Sequence, residues 1–394
     1  MKNLSRELLV SLLIVFVSLI GCRKSSNPTL APAASPSPAT PQSQLNHPEG
    51  GDVATAGEVK YFKGSIGSSL DLQMKLNRSN DQLTGNYYYE KVGTKIDLRG
   101  TLDKGGNVTL EEFDTAGKQT GLFKGIWAVD ASDGLVTIAG NWSKPPGDKA
   151  ADKKTAFSIH EEPIYLTGNV DVVAKSIKEN NKKLVYEISV QYPQLTGGSN
   201  PNLEKFNQAV RGSMLKKVAA FKKEMAPQPD AEPKPENSMG SDLNISYKIE
   251  LAQDDLVSVT FSVSSYYQGA AHPNSFSEVI NYDLKNGKVL KLSDVFKPGV
   301  KYLQALSTYC VADLKKQSKA KGADGALDDT SINTGAAPTA NNYHSWSITK
   351  QGLGINFDSY QVGPYAAGPQ FVKVPYSAIK DLINPDAPLG QFAK

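Results

Sequence analysis

The stretch from residue 58 to residue 162 contains short runs of alternating apolar and polar residues, which recur about every twelve residues between turn sequences. Alternation with a period of two is typical of strands that bury one face. The predicted strands are Val59–Ser65, Ser69–Leu76, Gln82–Glu90, Thr94–Leu102, Asn107–Phe113, Thr120–Val129, Leu135–Ser143 and Thr155–His160. Because hairpin-linked strands in this number suffice to close a barrel, we expect an all-β meander or small barrel.

The aromatic residues of this segment leave two uses of the barrel open. Tyr87, Tyr88, Tyr89, Trp127 and Trp142 either line the mouth of a ligand cavity or alternate between core and solvent. A hollow interior would make the barrel a small-ligand carrier, whereas a filled core would exclude that function. Glycine inside four predicted strands indicates bends or a close approach of neighbouring strands. These glycines are Gly85, Gly100, Gly121 and Gly140.

The first twenty-two residues resemble a bacterial lipoprotein signal. Lys2 and Arg6 precede the apolar run 8–20, which is too short to cross a bilayer and ends in Leu-Ile-Gly before Cys22. The resemblance implies diacylglyceryl transfer to the Cys22 thiol and cleavage before it, so that acyl chains anchor an extracytoplasmic protein to a membrane. Arg23, in place of Asp, favours the outer membrane where a cell has two. The Pro- and Ser-rich residues 23–57 predict a disordered tether.

After residue 162 the pattern becomes mixed, with strands and helices. A strand pair, an amphipathic helix capped by Asn200, a hairpin turned at Asp254-Asp255 and a second helix are predicted in order. Their ranges are Asn169–Ile177 and Lys183–Tyr192, turned at 179–181, then Pro201–Met225, Leu243–Leu251 and Leu256–Tyr266, and about Gly299–Lys319. Residues 226–242 and 319–342 are predicted loops. We therefore expect an α+β fold: the barrel, then a two-part module of antiparallel sheets and packed helices, 163–265 and 266–390.

Three motifs of the second part carry a family resemblance: Gly-Ala-Ala-His-Pro at 269–273, Pro-Tyr-Ala-Ala-Gly at 364–368 and Val-Pro-Tyr at 374–376. Their order resembles the C-terminal domain of the bacterial RsiV/PdaC-like family, which includes a lysozyme-sensing anti-sigma factor and a peptidoglycan deacetylase. With the domain that usually precedes it, the resemblance covers about 163–390. It implies the fold and an extracytoplasmic location. It also implies binding either to an envelope protein, such as the muramidase lysozyme, or to peptidoglycan.

Two departures from that family limit what the resemblance implies. The anti-sigma factor has a cytoplasmic segment and a transmembrane helix, and we expect neither in this chain after processing, so we do not expect a transmembrane signalling protein. The His and Asp motifs of the deacetylase catalytic domain do not occur in the sequence, so no activity is implied. The leading hypothesis is a non-catalytic binding module of the cell envelope. The alternatives are a glycan-modifying enzyme, with His272 and a nearby carboxylate as acid and base, and the small-ligand carrier.

Several loop residues are candidates for contact with a partner, because tyrosine offers a large contact area at a low cost in conformational entropy. The candidates are His272, Tyr266, Tyr267, Tyr360, Tyr365 and Gly368. For His272 and for the tyrosine-flanked 364–368 segment, the competing interpretation is structural: the histidine fixes its loop, and the segment is a packed, bulged connection. The loop at 319–342, followed by His344 and Trp346, is a second candidate surface.

Charge and composition exclude other classes of function. The net charge is +3 and no stripe of lysine and arginine stands out, so nucleic-acid binding is not expected. Four histidines and two cysteines offer little material for a zinc site, and the acidic residues at 324–329 do not follow an EF-hand pattern. No cofactor and no metal are expected. Cys310 falls in a helical pattern and is predicted to be a core residue.

Overall fold

The computed structural model describes residues 57–226, 240–321 and 327–393. Cys22 with its lipobox, nearly all of the predicted tether and most of the Pro-rich segment at 226–242 lie outside the described residues. Among the helices of the described ranges, none combines the length and apolarity needed to span a bilayer.

The first eight strands form a closed antiparallel barrel, as the alternation predicted. Their bounds are β1 Glu58–Ile66, β2 Leu70–Ser79, β3 Gln82–Tyr89, β4 Ile96–Leu102, β5 Asn107–Phe113, β6 Gln119–Val129, β7 Val136–Ser143 and β8 Thr155–Glu162. Each strand pairs with the next, and β1 pairs with β8 to close the barrel. The interior glycines stand where strands approach closely, since a Cβ at Gly100 would overlap the Thr109 carbonyl oxygen.

Apolar side chains from all eight strands fill the barrel interior. They form one buried cluster: Phe62, Ile66, Leu72, Met74, Leu76, Leu83, Tyr87, Leu98, Leu102, Val108, Leu110, Phe123, Val136, Ile138, Phe157 and Ile159. The rings of Tyr87, Phe123 and Phe157 pack edge to face, with successive centroids 5.5 and 5.1 Å apart. Trp142 donates to the buried Glu112 carboxylate at 2.9 Å. This packed interior argues against a barrel that carries a small ligand.

A second sheet follows, in the order β10-β11-β12-β13-β14-β15, with β9 beside β12. The elements are β9 Ile164–Tyr165, β10 Asp171–Asn181, β11 Tyr186–Thr196, α1 Asn202–Glu224, β12 Ser241–Gln253, β13 Leu256–Tyr266, β14 Asn274–Asp283 and β15 Lys288–Val289. Helix α1 connects the parallel pair β11–β12 and buries the predicted apolar stripe, including Phe206, Val210 and Met214. The predicted cap at Asn200 is wrong: Pro201 is the N-cap residue of α1 and no side chain caps the helix, because α1 begins one residue later than predicted, while Asn200 Oδ1 accepts from the Asn202 amide at 2.9 Å ahead of it.

The turn between β10 and β11 differs from the prediction. It lies at 182–185 rather than at 179–181, because Asn180 and Asn181 continue the ladder opposite Glu187 and Tyr186. Asn181 Oδ1 accepts from the Leu184 amide at 3.0 Å, so the last residue of β10 hydrogen-bonds to the backbone of the turn.

The last part of the chain packs helices against a three-stranded sheet. The elements are α2 Tyr302–Lys321, α3 Asp329–Gly335, β16 Trp346–Ile348, β17 Gly352–Phe357, β18 Gln370–Pro375 and α4 Tyr376–Ile379. Cys310 is fully buried in α2, which confirms its predicted place in the core, and burial raises the pKa of its thiol to about 12. The arrangement as a whole is the predicted α+β fold.

The predicted loop at 319–342 is partly helical. Its first residues continue α2, and α3 begins where Asp328 accepts from the Ser331 amide at 2.8 Å. This acidic residue therefore serves as a helix cap. Within the ranges that the structure describes, no group of three or more His, Cys, Asp or Glu side chains is placed to hold a metal ion.

Candidate functional site

Two of the three motifs that carry the family resemblance meet at the surface. His272, in the loop before β14, stacks on Tyr365, in the loop between β17 and β18, with ring centroids 3.9 Å apart and an interplanar angle of 21°. The His272 imidazole Nε2 lies 3.2 Å from the Tyr360 hydroxyl oxygen. Tyr360 is 64% exposed, and His272 is also exposed. We call His272, Tyr360 and Tyr365 the aromatic cluster.

One carbonyl oxygen links the His272 loop to Tyr365. Pro273 O accepts from the Tyr365 hydroxyl at 3.2 Å and lies 2.9 Å from His272 Nδ1. Since a carbonyl cannot donate, Nδ1 carries the proton, and in the neutral ring Nε2 accepts from the Tyr360 hydroxyl. His272 therefore bonds to the carbonyl of the next residue in its own loop and to the Tyr360 hydroxyl. It also presents its ring as part of an exposed surface.

Tyr360 holds a backbone conformation that tyrosine rarely adopts. Its φ is +71°, in the left-handed region, where a side chain with a Cβ costs about 1–2 kcal/mol. The neighbouring Gln361 holds the turn: its amide donates to the Asp358 carbonyl at 3.0 Å, and its side chain donates to the Gly335 and Asn342 carbonyls. Strain of this kind persists where the surrounding structure enforces it, and it concentrates at functional sites.

Asp358 joins the Tyr360 turn to β14, the strand that follows His272. One of its carboxylate oxygens accepts from the Ser277 amide at 2.8 Å, and the other lies 3.9 Å from His344 Nε2. Burial raises the pKa of the Asp358 carboxyl. Sequence reasoning assigned no role to Asp358 or Gln361, because their partners lie far away in the chain and neither residue stands in a distinctive pattern.

The other three candidates make contacts of their own: the rings of Tyr266 and Tyr267 are not part of the aromatic cluster, and Gly368 belongs to the Tyr365 loop. Tyr266 ends β13 opposite Asp242, and the Tyr267 ring packs against Phe221 of helix α1 with centroids 5.6 Å apart. Gly368 has φ +66° and closes the turn after Tyr365 by donating to its carbonyl at 2.9 Å. The structure therefore brings three of the six candidates together.

The aromatic cluster contains no acid–base pair among the described residues. The polar contacts of His272 there are Pro273 O and the Tyr360 hydroxyl. Asp283, a carboxylate that is near His272 in the sequence, lies at the far end of β14. It is buried and accepts from the Asn286 amide and side chain. What the cluster offers chemically is ring surface, together with hydroxyl and imidazole groups at its rim.

Family models match two stretches of this chain. Residues 179–275 match the model described as deacetylase PdaC, and residues 293–377 match the protein of unknown function DUF3298. The chain is 29% identical over 217 residues to the peptidoglycan-N-acetylmuramic acid deacetylase PdaC of Bacillus subtilis (strain 168). That match covers 55% of this chain and 42% of the relative, so the chain spans less than half of the relative's length.

Two solved structures of DUF3298 family members are also similar. One, from Bacteroides fragilis NCTC 9343, is 17% identical with a TM-score of 0.40 and covers 58% of this chain and 98% of its own. The other, from Pseudomonas aeruginosa PAO1, is 17% identical with a TM-score of 0.40 and covers 56% of this chain and 95% of its own.

Proposed function

We propose that this protein is an extracytoplasmic, cell-wall-associated binding protein, because it contains a PdaC-like domain, which the resemblance predicted, and a stretch that matches the DUF3298 model. In this proposal the protein is non-catalytic, and the aromatic cluster contacts a muramidase such as a c-type lysozyme. His272 falls in the PdaC-like stretch, whereas Tyr360 and Tyr365 fall in the DUF3298 stretch. The meeting of both stretches in one exposed surface is the observation that carries the proposal.

The chemistry of the cluster supports contact with a protein. Tyrosine is enriched at the centres of protein interfaces because its ring buries a large area and its hydroxyl still forms a hydrogen bond. The rings are held in place by the Pro273 carbonyl and by the strained Tyr360 turn, so binding costs little additional ordering. A glycan partner would use the same ring faces, and the experiment separates the two.

The decisive experiment measures binding of the purified full-length protein to c-type lysozyme and, separately, to peptidoglycan sacculi. Replacing Tyr360 and Tyr365 together by Ala is expected to weaken lysozyme binding at least about tenfold, because truncated interface aromatics typically cost more than 1 kcal/mol each. Ile126→Ala, which removes an exposed apolar side chain from the barrel, is the matched control and leaves binding unchanged. If the protein binds sacculi but not lysozyme, the partner is a glycan and not a muramidase. If it binds neither, the proposal is contradicted.

The strained turn supplies a second variant. Tyr360→Gly removes the side chain and also relieves the left-handed backbone, so the variant is expected to be more stable by about 1 kcal/mol while it loses lysozyme binding. Tyr360→Ala keeps the strain and loses the same contact. If Tyr360→Gly still binds lysozyme with the affinity of the unmodified protein, the binding surface lies elsewhere than at the aromatic cluster.

The lipid anchor at Cys22 is part of this proposal. We expect Cys22→Ala to abolish labelling by a metabolic acyl probe and to move the protein from the membrane fraction to the soluble fraction. A variant that remains acylated and membrane-bound would contradict the anchor without affecting the proposed binding surface.

A further inference from the structure

A cavity of about 470 Å³ lies where the barrel, the second sheet and the three-stranded sheet meet. The barrel contributes the β6–β7 turn and the end of β8, the second sheet contributes β12, and the three-stranded sheet contributes the β16–β17 turn and β18. Leu135, Tyr165 and Phe371 supply apolar surface. The volume falls within the range of about 300–1,000 Å³ that is usual for small-molecule sites.

Some charges around the cavity are neutralised by partners within the protein. Lys63 lies 3.4 Å from Glu90, and Lys248 lies 2.8 Å from Glu250. Glu161 accepts from Lys60 at 2.8 Å. Because each of these side chains has an oppositely charged partner in the protein, none of them requires a counter-charge from a ligand.

Four other lining charges form no ion pair within the described parts of the chain. Lys350 and Lys373 are supplied by the three-stranded sheet, and Asp133 and Glu162 are supplied by the barrel. The Lys350 ammonium sits over the Tyr165 ring, 3.3 Å from its centroid, and Lys373 donates to the Gln351 side-chain oxygen at 2.7 Å. The cavity thus has a cationic wall and an anionic wall, carried by different sheets.

We propose that this cavity binds a small zwitterion of the class of short peptides with free termini. The ligand carboxylate faces Lys350 and Lys373, the ligand ammonium faces Glu162 and Asp133, and the body of the ligand packs on Leu135 and Phe371. A zwitterion complements both walls at once, whereas a singly charged ligand leaves one wall uncompensated in a partly buried site.

The state of the charged groups supports this assignment. Burial lowers the pKa of Lys350 and raises the pKa of Glu162 to about 7, so each charged form lacks a sufficient counter-charge within the protein. The walls are also held at a defined separation, since Gln351 donates to the Ser132 carbonyl at 2.9 Å and so joins the β16–β17 turn to the β6–β7 turn.

The test is isothermal titration calorimetry of the purified full-length protein at pH 8 with three peptides: trialanine, N-acetyl-trialanine and trialanine amide. Trialanine is expected to bind, and loss of either terminal charge is expected to weaken binding at least tenfold. This comparison uses the unmodified protein, so it does not depend on any variant that fails to fold.

Two variants then test which wall binds which end of the peptide. Glu162→Gln is expected to abolish the preference for trialanine over its N-acetyl form, and Lys350→Gln is expected to abolish the preference over the amide. Glu187→Gln and Lys288→Gln, both at exposed positions outside the cavity, are the controls and keep both preferences. Equal binding of the three peptides, or no binding of trialanine at millimolar concentration, would overturn the proposal without bearing on the aromatic cluster.

Discussion

Single residues of this protein hold charges and conformations that are costly by themselves. Glu162, at the end of β8, is the clearest case for charge. Desolvation raises the pKa of its carboxyl to about 7, the Glu90 carboxylate adds to the rise, and Lys63, Lys248 and the Ile249 amide oppose it. A carboxyl with a raised pKa favours the protonated form in the folded protein, and the ionised form costs folding free energy.

Protein stability should therefore fall as the pH rises from about 4.5 to about 7. In this window the folded state still holds the Glu162 proton while the unfolded chain has released it, and the loss reaches up to about 3 kcal/mol above pH 7. Glu162→Gln is expected to remove this slope and to be more stable than the unmodified protein at pH 8. Urea titrations between pH 5 and pH 8 measure how the free energy of unfolding depends on pH, with Glu187→Gln as the control. A slope that persists in Glu162→Gln would assign it to another group.

At the scale of elements, one buried side chain ties helix α1 to strand β11. Asn207 Oδ1 accepts from the Leu195 amide at 2.8 Å, and its Nδ2 donates to the Leu195 carbonyl at 2.9 Å. Leu195 stands near the end of β11, and these two backbone groups face the helix. The asparagine therefore extends the hydrogen bonding of the sheet into the helix that covers it.

Asn207→Ala is expected to lower the free energy of unfolding by about 2–4 kcal/mol, because it leaves a buried amide and a buried carbonyl without partners. Gln208→Ala, on the exposed side of the same helix, is expected to stay within about 0.5 kcal/mol of the unmodified protein. Guanidinium unfolding followed by circular dichroism measures both. Equal stabilities would mean that the two Leu195 groups find other partners.

At the scale of the whole molecule, a buried polar network joins the barrel to the second sheet. Glu90, just after β3, accepts from Gln73 of the barrel at 3.1 Å and from Gln191 of β11 at 2.9 Å. Gln73 also donates to the Tyr247 hydroxyl of β12 at 2.9 Å. Tyr61 extends the seam by donating to Asp171 at 3.0 Å. We expect this network to couple the folding of the barrel to that of the second sheet.

We expect a single calorimetric unfolding transition for the unmodified protein and two transitions for Glu90→Ala. Removal of the Glu90 carboxylate leaves Lys63, Gln73 and Gln191 without their shared acceptor, at a cost of about 3 kcal/mol to the junction, so that the barrel melts separately. Glu111→Ala, on the exposed face of β5, is the control and keeps one transition. A single transition in Glu90→Ala would show that the remaining contacts suffice to couple the two parts.

The predictable part of this fold rests on local periodicity. The barrel strands, helix α1 and the β12–β13 hairpin follow from apolar spacing, because apolar residues recur in them with the period of a strand or of a helix. The turn after β10 was misplaced, since asparagines that favour turns can also lie in a ladder. The acidic loop at 319–342 concealed α3, a helix too short to show a periodic pattern. Motif order predicted the PdaC-like domain, as the comparisons confirmed.

The sequence alone therefore determined the order of elements, the α+β class and the residues worth examining, because these depend on neighbours within about one turn or one strand. Tertiary structure decided which candidates lie together. It joined His272 to Tyr360 and Tyr365 across 88 and 93 residues, placed Tyr267 against helix α1, and assembled one cavity from three sheets. Contacts at such separations depend on how sheets pack against each other, and no local pattern records that packing.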